Sequence, residues 1–316
     1  MFSEIAKVIE KASDILIVTH LNPDGDALGS TVGFKLMLEK LGKRATVLLE
    51  KAPAPMFEIF GDNYTWGEPE GEFDLVVSLD CGDLKRLGEC EKYFKGNTLS
   101  IDHHVSNTLF ADVNHVEPDA AATGEIIYKL VKYLKVDFTP EMASSLYGAI
   151  LTDTGGFMFS STTEETHLAA GELIRAGADF YNLNKKLHLE KDYKRHLISA
   201  HAIENAIFSA DGKICICLFD NALCESLDIV DEDLNGLAQV TRSISGVEAG
   251  VLITEITKGL VKVSLRSDEI VDVAKVAEAF GGGGHIRASG VRFRDADILK
   301  VKDMITEEIM KQLGAK

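Results

Sequence analysis

Four segments are apolar almost throughout rather than alternating: DILIVTH (14–20), RATVLLE (44–50), DLVVSLD (74–80) and NTLSIDHH (97–104). A strand that is apolar on both faces has to be covered on both, which is the situation of a parallel sheet between helices. Intervening stretches such as ALGSTVGFKLMLEKLG and, later, GEIIYKLVKYLK, PEMASSLYGAILTD and TEETHLAAGELIRAG carry apolar residues at helical spacing. The expected fold class is therefore α/β, with an N-terminal doubly wound, mostly parallel sheet. A run without Pro or Gly at about 182–206 predicts one long connecting helix. Beyond it the pattern changes: a hairpin about Asp211-Gly212, a strand pair turning at Lys258-Gly259, the helix VDVAKVAEAF, the strand VRFRD and a closing helix to about 313. That is a smaller mixed α/β domain. The expected division is 1–185, a connecting helix at 186–206, and 207–316.

Three of the apolar runs end on groups that bind metals or move protons. His20 follows the first, Asp80 the third, and Asp102-His103-His104 the fourth. Parallel strands bring their carboxyl ends to one edge, where ligands of open α/β sheets bind. Asp24 and Asp26, in HLNPDGD, lie on the loop into the first helix at that edge; Asp153 in LTDTGGF precedes a glycine pair that lets the chain turn back. Taken singly, each has an ordinary explanation: Asp24, Asp26, Asp80, Asp83 and Asp153 could cap helices or turns, and a lone His could be a bonded polar residue. Separate caps do not require two imidazoles and a D-H-H at one edge. Four carboxylates close together repel and are costly to desolvate unless positive charge lies between them. Oxygen-plus-imidazole donors suit Mn²⁺, Mg²⁺, Fe²⁺ or Zn²⁺, and so many carboxylates point to two ions sharing one of them; Mn²⁺ is the expected ion.

The net charge of −17 opposes binding of long nucleic acid, whose affinity comes largely from neutralised phosphates. A phosphate-bearing ligand should be small and locally held. Five cysteines, odd in number and without a C-x-x-C pair, indicate neither a disulfide framework nor a thiolate zinc site. No apolar run reaches the ~18–20 residues of a membrane span, and the N-terminus does not read as a secretory signal. A cytoplasmic protein with no membrane partner is expected, and a homodimer is allowed.

The segment GGGGHIRASG (281–290) lacks the G-K-[ST] ending of a P-loop. Its glycines let backbone N–H groups approach an anion, with His285 and Arg287 as added donors and Arg266 of SLRS as a fork for phosphate. A plain flexible turn is the competing explanation.

H-x-x-P-D-G-D (20–26), L-D-C-G-D (79–83), D-H-H (102–104), L-T-D-T-G-G-F (151–157) and the glycine-rich segment occur in the order seen in the DHH phosphoesterase superfamily with its DHHA1 companion domain. The chain resembles that superfamily over nearly its whole length. In size it is similar to the branch of oligoribonucleases and 3′-phosphoadenosine 5′-phosphate phosphatases. The resemblance implies one metal on His20, Asp24 and Asp80, and a second on Asp26, Asp80, His103 and Asp153. It places His104 beside the reacting phosphate, with Asp80 and His104 as catalytic groups and Asp102 orienting the histidines from behind. It implies that Arg266, Gly283, Gly284, His285 and Arg287 grip the phosphate or base end of the substrate while the first domain cuts. The expected activity is a two-metal phosphoesterase acting on short oligoribonucleotides and 3′-phosphoadenosine 5′-phosphate. A linear or cyclic diadenylate phosphodiesterase is the alternative chemistry, inorganic pyrophosphatase fits less well, and a non-catalytic nucleotide-binding regulator is the alternative class.

Overall fold

A computed structural model describes residues 2–234 and 236–314, and the chain divides into two compact units, 1–190 and 191–316.

In the first unit the strands are β1 (Asp14–Val18), β2 (Arg44–Leu49), β3 (Tyr64–Trp66), β4 (Leu75–Leu79), β5 (Thr98–Asp102) and β6 (Val113–Val116). The helices are α1 (Ser3–Lys11), α2 (Gly25–Lys40), α3 (Thr123–Tyr133), α4 (Pro140–Asp153), α5 (Glu164–Arg175) and α6 (Phe180–Asn184). The sheet runs β3-β2-β1-β4-β5-β6 with every pairing parallel, so the strand order reverses between β1 and β4. One face buries Ile15, Ile17, Val77, Leu79, Leu99 and Ile101 against the helices; the other buries Leu16, Val18 and Val76 against Leu87 and Cys90 of the 3₁₀ stretch Leu84–Tyr93. Burial on both faces is the reason these strands read as unbroken apolar runs. β3 and β6 escape that signature because they are edge strands of three and four residues, half-buried at most of their positions.

Helices α2 and α4 pack unusually close. A Cβ at Gly29 would lie 2.4 Å from the Ser145 carbonyl, and one at Gly33 2.5 Å from the Leu146 side chain. The absence of those side chains lets α2, which begins beside Asp24, run against α4, which ends at Asp153.

The second unit contains α7 (Tyr193–Glu204), β7 (Ile207–Ser209), β8 (Ile214–Phe219), α8 (Asn221–Ser226), α9 (Leu237–Arg242), β9 (Ala249–Thr257), β10 (Leu260–Ser267), α10 (Val273–Glu278), β11 (Gly283–His285), β12 (Ala288–Arg294) and α11 (Ile298–Leu313). Its sheet runs β11-β12-β10-β9-β8-β7, antiparallel except for β8 with β9. The hairpins about Asp211-Gly212 and Lys258-Gly259 are as expected. The single connecting helix is not: α6 continues as a π-turn over Lys185–Leu189, Glu190 is extended, and α7 starts afresh behind the cap Asp192. Asp192 accepts from the Arg195 N–H at 2.7 Å, a local bond that competes with helix continuation and that periodicity does not reveal.

Candidate metal centre

The loop after β1 and the start of α2 bring three candidates together. Asp24 is the N-cap of α2, its carboxylate accepting from the N–H groups of Asp26 and Ala27 at 3.1 and 3.0 Å, yet its side chain stays 58% exposed. The capping explanation and the ligand role therefore coexist, because the second carboxylate oxygen is free to face the site. It lies 3.9 Å from His20 Nε2. Asp80 follows β4 in the left-handed region (φ 56°), a strained conformation that Asp tolerates better than most residues.

Asp80 is the hub. Its Oδ2 lies 3.8 Å from His20 Nε2 and its Oδ1 3.7 Å from His103 Nε2. His103 Nε2 is also 3.9 Å from Asp26 and 3.4 Å from Asp153. Donor atoms of His20, Asp24 and Asp80 lie within 4.8 Å of one another, as do those of Asp26, His103 and Asp153. All six predicted ligands thus gather at the end of the sheet where strand order reverses.

The imidazoles are held with one nitrogen spent and the other presented. His20 Nδ1 bonds the Leu21 carbonyl (2.9 Å) and His103 Nδ1 the Ala120 carbonyl (3.2 Å), so in each ring Nε2 faces the carboxylates. Asp102 behaves differently from the expectation that it would orient both histidine rings. Its Oδ1 accepts from His104 Nδ1 at 2.7 Å and from the backbone N–H of His103 and His104, while Oδ2 accepts from Asn107 at 2.7 Å. It fixes the ring of His104 and only the backbone of His103. Burial works against its charge, but these donors hold the Asp102 carboxyl below its usual range, and the same bond raises His104.

Asp26 and Asp80 are 1% and 2% exposed. Burial first, then the neighbouring carboxylates, push both well above the normal carboxylate range; burial and Asp24 raise Asp153, with the two histidines opposing. No lysine or arginine forms an ion pair with these three carboxylates among the described residues. The donor set, the tautomer-fixing bonds and the crowded uncompensated acids fit divalent cations.

Sequence reasoning missed the groups behind the ligands. Thr123, fully buried at the start of α3, donates its hydroxyl to Asp80 Oδ1 (3.0 Å) and its N–H to Asp26 Oδ2 (2.7 Å). Gly124 N–H and the Ser30 hydroxyl each reach Asp26 Oδ1 at 2.9 Å. The α3 N-terminus therefore cradles Asp26, as helix N-termini do for anions. The available signal was the Thr123 immediately ahead of the helical run GEIIYKLVKYLK.

In the second unit the glycine-rich segment is not a bare loop. Gly283–His285 is a strand paired with β12, and Cβ atoms at Gly282 and Gly284 would come within 2.4 and 2.6 Å of the Gly290 and Ala288 carbonyls. These two glycines permit close strand approach. A Cβ at Gly283 would meet nothing within 4 Å, and His285 is exposed. Arg287 donates to the carbonyls of Val271 (2.9 Å) and Glu269 (2.6 Å), tying the hairpin to the preceding loop. Arg266 is half-buried, and its side chain bonds the Leu265 carbonyl at 2.9 Å. All five cysteines are buried and free, and no helix among the described residues is long and apolar enough to cross a membrane.

A parallel sheet with a cluster of carboxylates and imidazoles at its switch point, followed along the chain by a mixed-sheet domain, is the pattern of the DHH class of phosphoesterases. The chain belongs to the DHH/DHHA1 family: the DHH family N-terminal domain matches residues 14–150 and the DHHA1 domain residues 219–312. It is 29% identical over 99% of its length to the bifunctional oligoribonuclease and PAP phosphatase NrnA of Thermus thermophilus, covering 94% of that protein, and 27% identical to the Bacillus subtilis protein of the same name, with 92% of each covered. The cyclic-di-AMP phosphodiesterase GdpP of Geobacillus thermodenitrificans is 25% identical over 96% of this chain and 48% of its own length. The same fold occurs in an exopolyphosphatase-related protein from Bacteroides fragilis, with a TM-score of 0.91 at 24% identity, covering 98% of this chain and 95% of that one.

Proposed function

We propose that the protein is a two-metal phosphoesterase that hydrolyses short oligoribonucleotides and 3′-phosphoadenosine 5′-phosphate. The observation that carries this reading is the two-sided environment of Asp80, whose two oxygens face histidines from opposite halves of the cluster. His20, Asp24 and Asp80 would hold one ion, and Asp26, Asp80, His103 and Asp153 the other, with Mn²⁺ first and Mg²⁺, Fe²⁺ or Zn²⁺ as substitutes. When bound, the ions supply activation of water and neutralisation of phosphate charge.

The remaining work falls to the chain. His104, with Nδ1 locked on Asp102, has Nε2 as the group that stabilises the phosphate or protonates the leaving oxygen. Asp102 positions that ring and favours its charged form. In the second unit Arg266, Gly283, Gly284 and His285 are the proposed substrate contacts, with Arg287 holding their hairpin. Full-length likeness to two proteins named oligoribonuclease and PAP phosphatase supports the substrate class. The likeness to a cyclic-di-AMP phosphodiesterase supports diadenylates as a second substrate class. Free thiols at all five cysteines support a reducing, cytoplasmic setting.

The test is turnover of adenosine 3′,5′-bisphosphate, pApA, tri- and tetraribonucleotides and a cyclic dinucleotide with Mn²⁺, against a chelated control. Hydrolysis of the bisphosphate and the short oligonucleotides that stops with chelator is expected. Binding of these nucleotides without turnover would instead mark a regulator.

A further inference from the structure

In the second unit, α7, α8 and α9 cover β8 and β9 on one face of the sheet, burying Cys217, Phe219 and Leu252 with Leu237 and Ala238. α9 also reaches β10, while β12 lies beyond that cover. Val261, Val263 and Leu265 of β10 enter the core on the opposite face, so the period of two turns Lys262, Ser264 and Arg266 outward on this one. The register sets Arg292 opposite Lys262, and Gly290 opposite Ser264. Small residues at 264 and 290 thus form a low floor between cations at either side. A cavity of about 450 Å³ lies here, lined by Lys262, Ser264, Gly283 and Arg292. Two more, of about 200 and 110 Å³, share Lys262 with it; the first reaches Arg292 and Thr257, the second Arg266.

The cations at the two ends are differently equipped. Arg266 is held below its usual range by burial and by the nearby Arg242, whose own charge is met by Asp268 at 3.5 Å. Lys262 is fixed by both oxygens of Asp231 at 2.9 and 3.0 Å, while the Arg292 side chain is exposed and makes no hydrogen bond or ion pair among the described residues. Among the described side chains one positive charge is therefore left over at the Lys262 end.

We propose that this strip is a second phosphate subsite, centred on Arg292 and Lys262, that takes the phosphodiester two nucleotides along from the phosphate held at Arg266. The proposal rests on the nucleotide-hydrolase reading above and narrows it to substrate length. Positions 262 and 266 are four residues apart on one strand, about 13 Å. A nucleotide contributes six backbone bonds, twice those of a residue, and so spans about 7 Å when extended. Two nucleotides therefore match the separation. A bisphosphorylated nucleoside carries both phosphates on one ribose and cannot reach both ends, whereas a tri- or tetranucleotide can.

The test is calorimetric titration of the full chain, in chelator, with tetra-adenylate and separately with adenosine 3′,5′-bisphosphate, for wild type, Arg292→Glu and Arg292→Lys. Loss of one charged contact is expected to raise the ratio of the tetranucleotide to the bisphosphate dissociation constant about tenfold in Arg292→Glu, with Arg292→Lys near wild type. Equal weakening of both ligands, no change in either, or no tetranucleotide binding by wild type overturns the subsite. Turnover by wild type with Mn²⁺ is read separately: inactivity there overturns the hydrolase reading, while the binding ratio still decides the subsite.

Discussion

Thr123 makes two of the bonds that hold the metal-centre carboxylates, and only one of them runs through its side chain. The hydroxyl fixes one lone pair of Asp80 Oδ1, leaving the rest of that carboxylate for cations on either side. Groups behind ligands typically tune metal affinity by 10–100-fold. Thr123→Val keeps the shape and the backbone bond to Asp26 but removes the hydroxyl. It is expected to weaken Mn²⁺ binding by about tenfold in a calorimetric titration, with Thr123→Ser close to wild type. A Val variant that binds as tightly as wild type would show that the hydroxyl is only a structural cap. At this scale the clustering of the six candidate ligands was legible, because separate caps do not require two imidazoles and a D-H-H at one sheet edge. Thr123, Ser30 and Asn107 were not, since Ser, Thr and Asn cap and turn everywhere along a chain. Asp24 shows why single-residue arguments stay ambiguous: it is a helix cap and a ligand candidate together.

Among the elements, the pairing of α2 with α4 sets how near Asp26 comes to Asp153. Replacing a helical Gly by Ala ordinarily gains about 1 kcal/mol. At Gly29 the new methyl would meet the Ser145 carbonyl at 2.4 Å and the Ala149 nitrogen at 2.9 Å, backbone atoms that cannot rotate aside. Overpacking costs about 1–3 kcal/mol, so the clash wins and Gly29→Ala is expected to destabilise. At Gly171 in α5 a Cβ would meet nothing within 4 Å, so Gly171→Ala is expected to stabilise by up to ~1 kcal/mol. Chemical denaturation of both variants checks the pair; equal effects would mean that α2 and α4 are not so tightly apposed. The long apolar strands, the main helices and the hairpin turns were legible because burial writes itself into periodicity. β3 and β6 were not, being short edges, and the break at Glu190 was not, because the cap at Asp192 is a local bond inside a stretch of good helix formers.

For the molecule as a whole, the acidic cluster is an electrostatic burden that cations relieve. Asp26, Asp80 and Asp153 have folded-state values raised above the unfolded carboxylate range of about 4. Raised values mean that their contribution to stability is fully present below that range and is lost as pH climbs through the folded values. Without metal, raising the pH therefore forces charge into a buried cluster. With metal bound as proposed, the same groups would be deprotonated ligands, so cation binding is expected to strengthen as pH rises. Net charge of −17 and a few local cations in the second unit support the proposed preference for short phosphate chains.

The most direct measurement is thermal denaturation with chelator and with Mn²⁺, at pH 5.5 and pH 7.5, for wild type and Asp80→Asn. Mn²⁺ at about a hundred times its dissociation constant is expected to raise the wild-type Tm by about 5 °C at pH 7.5, and by less at pH 5.5. Asp80→Asn, which removes one of the crowded buried carboxyls and keeps a residue suited to the left-handed backbone, is expected to melt higher than wild type in chelator at pH 7.5 and to lose the Mn²⁺ shift. An Asp80→Asn protein that melts lower in chelator and still gains the full shift from Mn²⁺ would contradict the account.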